Sequence, residues 1–228
     1  MARLIFGGPA VAGLMVAAAP VTAQEGELRY FAGVDVVSNY VASGVTQSDG
    51  KPAIQPFFTI AKNGFYAGTW MSMVDFGDED NWEIDLYLGY RTLLENDLFV
   101  DFGYARYMYD RSGDCCGEVK MTLAYPLLSN LGLKGFLAYN PQSKDWNRRL
   151  TLAYEVNEQL GIAGVYGKSD LHSHDYWGVG ASYAFDDSWA VGLSYQGSES
   201  GDEGVVFTVS LASSQSTLAR LLAAPFQR

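Results

Sequence analysis

The chain has 228 residues and a formal net charge of −11, from 15 Lys+Arg and 26 Asp+Glu, with two His. Hydrophobic residues make up 48%, which excludes a disordered chain, while only 18% are charged, fewer than the roughly 25% of an ordinary soluble domain. The acidic balance excludes a nucleic-acid binder, which needs a clustered basic surface, and two Cys exclude a disulfide framework or a four-Cys zinc site.

Residues 1–23 read as an export signal. Arg3 supplies the positive start, Leu4 to Pro20 is an apolar run, and Val21-Thr22-Ala23 offers small residues at the cleavage spacing. No later stretch resembles a transmembrane helix, so a membrane form of this chain has to be a barrel.

From there the period is two. Trp82, Ile84, Leu86, Leu88 and Tyr90 alternate with Glu83, Asp85, Tyr87, Gly89 and Arg91, and the same rhythm recurs to Leu211. A helix scatters such groups around its axis, whereas a strand separates them onto two faces. The pattern predicts twelve strands, over 28–43, 52–61, 65–76, 81–92, 97–109, 118–127, 131–140, 148–156, 159–168, 175–185, 188–197 and 204–212. Each is near the roughly 9–11 residues of a tilted membrane-spanning strand.

The connections alternate in kind. Tight ones fall at Lys62-Asn63-Gly64, Leu94 to Asn96, Leu128 to Asn130, Asn157-Glu158 and Asp186-Asp187. Longer ones fall near 44–51, 75–80, 110–117, 141–147, 169–174 and 198–203. Short periplasmic turns with longer outer loops are the layout of an all-β, antiparallel, up-and-down transmembrane barrel, and an even strand count places both termini on the short-turn side. Residues 24–212 form this single domain. The tail, 213–228, breaks the alternation and has the pattern of a short amphipathic helix over 216–224. The apolar phase ends at Leu211 rather than on an aromatic, with Phe226 only in the tail, so the end of the last strand is itself an expectation.

Period two does not say which face points inward. Aromatics near strand ends (Trp82, Trp146, Trp189, Tyr30, Tyr40, Tyr90, Tyr139 and Tyr195) suit interfacial girdles, and the polar face has too little charge for a water-facing exterior. Both predict lipid outside and a polar lumen. The polar phase then offers Asp35, Asn39, Gln55, Glu83, Asp85, Arg91, Asp101, Lys120, Lys134, Arg149 and Glu155 as lumen-lining residues, with Arg29 and Arg106 also counted to the wall. Wall charges of both signs are expected to pair across the lumen, and Tyr87, Phe99, Tyr107 and Phe136 to narrow it.

One block resembles a known family. It comprises Val36-Val37-Ser38-Asn39-Tyr40, Gly44-Val45-Thr46-Gln47-Ser48, Pro52-Ala53-Ile54-Gln55, Gly64-Phe65-Tyr66-Ala67-Gly68-Thr69-Trp70 and Ile84-Asp85-Leu86-Tyr87-Leu88-Gly89-Tyr90. In this order they resemble the TorF family of small proteobacterial outer-membrane porins. Ser43 before Gly44 and Pro56 after Gln55 depart from the family's usual Arg and Gly. The resemblance implies the outer membrane and a passive conduit for small hydrophilic solutes or ions. The open alternatives are a structural or surface-interaction barrel with a filled lumen, and a lipid-modifying enzyme.

The longer connections hold most of the net negative charge. Asp75, Asp78, Glu79, Asp80, Glu199, Asp202 and Glu203 form an acidic outer mouth that attracts cations in a salt-dependent way. Asp75 to Asp80 has oxygen ligands of the kind that hold Ca²⁺ or bridge to lipopolysaccharide, although a solvated loop is the commoner use. His172 and His174, flanked by Asp170 and Asp175, are the candidate metal ligands, again in a loop that reads more simply as polar surface. Both His fall in one loop and no strand carries one toward lipid, so no catalytic residues are expected. No cofactor is expected. The expected partners are outer-membrane lipids, lipopolysaccharide, small solutes or ions and the barrel-assembly machinery. Cys115-Cys116 lies in the third long loop, where a vicinal disulfide and two free thiols are both open.

Overall fold

The computed structural model describes residues 26–201 and 203–213. The proposed signal sequence, Asp202 and the tail beyond Ser213 lie outside the described residues. The strands are β1 (Arg29–Val37), β2 (Val41–Ala42), β3 (Val45–Thr46), β4 (Ala53–Lys62), β5 (Phe65–Met73), β6 (Trp82–Leu93), β7 (Phe99–Tyr109), β8 (Gly113–Leu128), β9 (Leu131–Tyr139), β10 (Trp146–Glu155), β11 (Leu160–Ser169), β12 (His174–Ala184), β13 (Trp189–Ser198) and β14 (Glu203–Ala212). All but β2 and β3 pair antiparallel with their neighbours and close on themselves, β1 against β14, into a twelve-strand barrel. Closure leaves no edge strand exposed.

The two faces are the reverse of a soluble protein's. Leu86, Leu88, Phe102, Leu150, Val179, Leu193 and Val205 point outward and are exposed, whereas Gln55, Glu83, Asp85, Thr59 and Ser72 point inward and are buried at 0–1% exposure. Only a hydrocarbon surround makes this arrangement favourable, because each outward Leu left in water would forgo about 2 kcal/mol of burial. Tyr30, Tyr90, Trp146, Trp189 and Tyr195 are outward and exposed near strand ends, as interfacial aromatics are. Tyr40 is not among them: it is 2% exposed, inside the barrel.

Local chemistry explains several details. Asn63 and Gly64 both have positive φ, 51° and 84°, in the tight β4–β5 turn. Pro56 lies in a stretch of β4 that pairs with β1 but lies above the register with β5, which begins at Phe57, so its missing N–H costs less there. Gly89 and Gly103 are cross-strand partners, and the Tyr66 phenol lies over both; a Cβ on Gly89 would stand 2.4 Å from its oxygen. A large ring thus covers two positions that have no side chain.

The first and third longer connections differ from expectation. β1 ends at Val37 rather than 43, because the chain turns into the barrel at Ser38; Ser38 N and Oγ bond Phe207 O and N at 2.8 and 2.9 Å. β8 starts at Gly113, so the Cys pair lies in a strand. Cys116 pairs with Tyr107 and Asp114 with Met108, leaving Cys115 as the extra residue of a β-bulge. Cys115 and Cys116 form a disulfide, with Cα atoms 3.7 Å apart. The last strand ends at Ala212, one residue after the apolar phase, and Ser213 N donates to Ala32 O at 2.9 Å.

Candidate functional site

The connection between β1 and β4 is the feature that shapes the lumen. It folds back as the small hairpin of β2 and β3 instead of standing outside as a loop. Its two-residue turn, Ser43-Gly44, has positive φ at both positions, 50° and 78°, the geometry of a type I′ hairpin. Internal bonds stiffen its base: Gln47 N donates to Tyr40 O at 2.7 Å, Tyr40 N to Ser48 Oγ at 2.9 Å, and Thr46 Oγ1 to Asn39 Oδ1 at 2.6 Å.

The hairpin crosses the barrel and is held at both ends. On one side the Tyr40 hydroxyl donates to Glu83 Oε2 at 3.1 Å and its ring meets Trp70 edge-on, centroids 5.5 Å apart. On the other, the tip meets three strands. Asn147 Nδ2 of β10 donates to Ser43 Oγ at 2.8 Å, His174 Nε2 of β12 lies 2.8 Å from Ser43 O, and Ser198 Oγ of β13 donates to Gly44 O at 3.1 Å. Tyr176 OH in turn donates to Asn147 Oδ1 at 2.7 Å. Gly44 is required twice over, by its φ and because a Cβ there would stand 2.7 Å from Ser198 Cβ and 2.8 Å from Tyr176 Cβ.

The lumen is filled on one side only. Phe57, Tyr66, Trp70, Tyr87 and Tyr107 from β4–β7 are buried, with Tyr66 OH donating to Asp101 Oδ1 at 2.6 Å and Arg91 5.2 Å from the Tyr66 ring centroid. The inward positions of β11–β14 are mostly small: Gly161, Ala163, Gly178, Gly180, Ser182, Gly192, Ser194, Thr208 and Ser210. Between this wall and the hairpin lies a cavity of about 70 Å³, lined by Gly44, Gln55, Arg149, Gln196 and Thr208 among others. A second, of about 180 Å³, continues it past Asn39, Val41 and Gln196 to Gly50 and Glu203 at the long-connection end.

Asp35, Gln55, Glu83, Asp85, Arg91, Asp101, Lys120 and Lys134 are inward and buried; Arg149 and Glu155 are inward and partly buried, and Asn39 lines the cavity at the hairpin's base. Lys120 meets Glu118 on its own strand at 3.6 Å, and Arg106 points outward to a bidentate pair with Asp114. Phe136 lies inward beneath Arg149, whose Cζ is 4.8 Å from the ring centroid.

The rim carboxylates have separate partners. Asp75 pairs with Lys51, and this contact, with the Gly77 N–H, holds its carboxyl below the ordinary range while raising the Lys51 ammonium. Asp80, 7% exposed, accepts from Ser112 Oγ and from the N–H groups of Ser112 and Arg111, which likewise hold it low. Glu199 accepts from Asp175 N at 3.1 Å and Glu203 from Tyr195 OH at 2.6 Å. Asp78 and Glu79 stay exposed; Asp202 lies outside the described residues. His174 is buried beneath the hairpin tip with the His172 ring stacked at 5.4 Å, and no group of three or more metal-ligating side chains occurs among the described residues.

A closed twelve-strand barrel with an apolar exterior and a polar, partly occluded interior is the architecture of the outer-membrane porins. A family model described as a bacterial protein of unknown function (Gcw_chp) matches residues 22–223, and the chain belongs to that family. The match does not carry the TorF name, so the likeness of Val34 to Tyr90 remains a resemblance in sequence. No curated protein matches the chain. Among solved structures, the KdgM porin aligns with a TM-score of 0.61 at 9% identity over 80% of this chain and 97% of its own. The NanC porin aligns at 0.53 and 11% identity, over 80% and 98%. At these identities the likeness is one of fold.

Sequence reasoning placed the lumen phase but missed the hairpin tip. Val41-Ala42-Ser43-Gly44-Val45-Thr46 does carry a hairpin signal, two β-branched or apolar pairs around Ser-Gly. The expected boundary at 43/44 divides it, with Val41 to Ser43 in the first strand and Gly44 to Thr46 in the loop that follows. Asn147 and Ser198 carry no local signal at all, since their role exists only once the tip arrives beside them.

Proposed function

We propose that the chain is a narrow outer-membrane channel of porin type, passing small hydrophilic solutes or ions along an eccentric path between the hairpin and the β11–β14 wall, after removal of residues 1–23. The observation that carries this reading is the asymmetry of the lumen: bulky side chains fill the β4–β7 side, while Gly, Ala and Ser line most of the opposite side. Twelve strands lie between the eight that leave room only for side chains and the 16 to 18 of an open channel. The hairpin accounts for the narrowing.

The acidic rim belongs to this reading as an entrance. Asp78 and Glu79 stand exposed there, whereas Asp75 and Asp80 are engaged in holding connections together. A second reading, a filled structural barrel that meets other molecules through its rim, is favoured by the full burial of Trp70, Tyr40, Tyr107 and Phe31.

The test is the single-channel conductance of refolded mature protein in a planar bilayer. Discrete steps that grow when Gly44→Ala displaces the tip support the channel. A heat-modifiable, correctly folded barrel that stays silent in both forms supports the filled barrel instead.

A further inference from the structure

Two neighbouring inward cations, one of them lining the cavity, have no carboxylate within ion-pair distance among the described residues. Lys134 of β9 is 8% exposed, and no hydrogen bond or ion pair reaches it among the described residues. Arg149 of β10 has a buried Nε with no hydrogen-bond partner among the described residues. Phe136 is the cross-strand neighbour of Arg149, and Lys134 that of Thr151, so the two cations are diagonal neighbours on one face. Arg149 lies over the Phe136 ring, its Cζ 4.8 Å from the centroid. Glu118, a carboxylate of the adjoining β8, is engaged by Tyr107 OH at 2.6 Å and by Lys120.

A pair of like charges in a confined lumen is costly unless a counter-charge joins it. Arg149 is the next inward residue after Asn147, which holds the hairpin tip, and it lines the narrow cavity with Gln55, Ser194 and Gln196. The Arg149 guanidinium and neutral donors line this small polar space, with the Lys134 side chain diagonal to Arg149 on the same face, and such groups receive an oxyanion. The acidic rim does not cancel this field, because exposed charges are screened beyond about 8 Å at physiological ionic strength.

We propose that Arg149 and Lys134 form an oxyanion site at the constriction, taking small carboxylates or phosphate, so that the path selects anions there despite the chain's net negative charge. The site rests on the channel reading only for the route by which the anion reaches it.

The experiment is calorimetric titration of refolded mature protein in detergent at low ionic strength with sodium phosphate, with sodium acetate and with a neutral sugar. Alongside it, reversal potentials are measured in a bilayer under a salt gradient. Phosphate or acetate should bind and the sugar should not; tighter phosphate assigns a phosphate site, and equal or tighter acetate a carboxylate site. Lys134→Gln and Arg149→Gln should each weaken binding about tenfold, while Lys134→Arg and Arg149→Lys, which keep the charge, should retain most of it. Heat-modifiability on a gel confirms that each variant folds.

No binding by folded wild-type protein, or unchanged binding in the folded double Gln variant, overturns the site. Conductance with a cation preference and no anion binding leaves the channel standing without the site. Anion binding with a silent bilayer leaves the site standing and removes the channel.

Discussion

His174 Nε2 lies 2.8 Å from the carbonyl oxygen of Ser43, a residue 131 positions earlier in the chain. This bond joins the tip of a hairpin from the first connection to the opposite barrel wall. His174 is the first residue of β12 and is buried, so its ring is a structural donor to backbone inside the barrel. The same residue in an open loop would read as a metal ligand. Its neighbours Asn147 and Ser198 act on the same two-residue turn, which makes the hairpin a strap across the lumen.

His174→Ala should loosen the strap without unfolding the barrel. One hydrogen bond of this kind contributes about 1 kcal/mol. The thermal midpoint should fall by a few degrees, and single-channel steps should become larger and noisier. His174→Ala combined with Asn147→Ala should exceed either change alone, because both hold Ser43.

Gly44→Ala should act more strongly. The added Cβ meets Ser198 and Tyr176 at under 3 Å, and φ of 78° is unfavourable for Ala. A loss of about 1–2 kcal/mol is expected in thermal or denaturant unfolding. Gly50→Ala, also at positive φ but with open space around it, should cost less, since only the backbone term applies.

Acid should release the hairpin's outer anchor. Asp75 has a carboxyl held below its ordinary value of 3.8 by Lys51. A depressed carboxylate contributes stability that is present above the unfolded value and is lost as pH falls through the folded one. Lys51, raised above 10.5, contributes stability present below that value and lost as pH rises through its higher folded one. Hydrogen-exchange protection over residues 38–52, taken relative to the intrinsic exchange rate at each pH, should therefore be full between the ordinary values of 3.8 and 10.5 and fall once pH passes below the depressed Asp75 value or above the raised Lys51 value. Lys51→Met should abolish that pH dependence.

Tyr66→Phe should destabilise the filled half of the lumen. Asp101, 7% exposed, would lose the Tyr66 hydroxyl that bonds it at 2.6 Å. A buried carboxylate deprived of a donor costs about 1–3 kcal/mol. Denaturant midpoints in detergent should show it, with conductance little changed, because Tyr66 belongs to β5, away from the β11–β14 wall.

Cys115 and Cys116 should resist alkylation until reduced, then take two labels per chain, as read by intact mass. Reduction should leave the barrel heat-modifiable, since the pair occupies a bulge at one end of β8.

Alternation by itself determined the twelve barrel strands, ten of them to within three residues at both ends, and the turn chemistry of Asn63-Gly64 determined a tight hairpin. Those signals are local: a strand's two faces and a turn's φ values are written in neighbouring residues. Eight of the eleven residues proposed for the lumen are inward and buried for the same reason, because a period of two leaves only two choices of face. The tertiary structure alone decided what occupies that lumen. Ser43 and Gly44 become a constriction only beside Asn147, His174 and Ser198, more than 100 positions away. Lys134 and Arg149 have no carboxylate partner among the described residues, and this shows only once Glu118 is seen to be engaged by its own neighbours. Whether a charge has a partner is a property of three-dimensional distance, and no spacing along one strand encodes it.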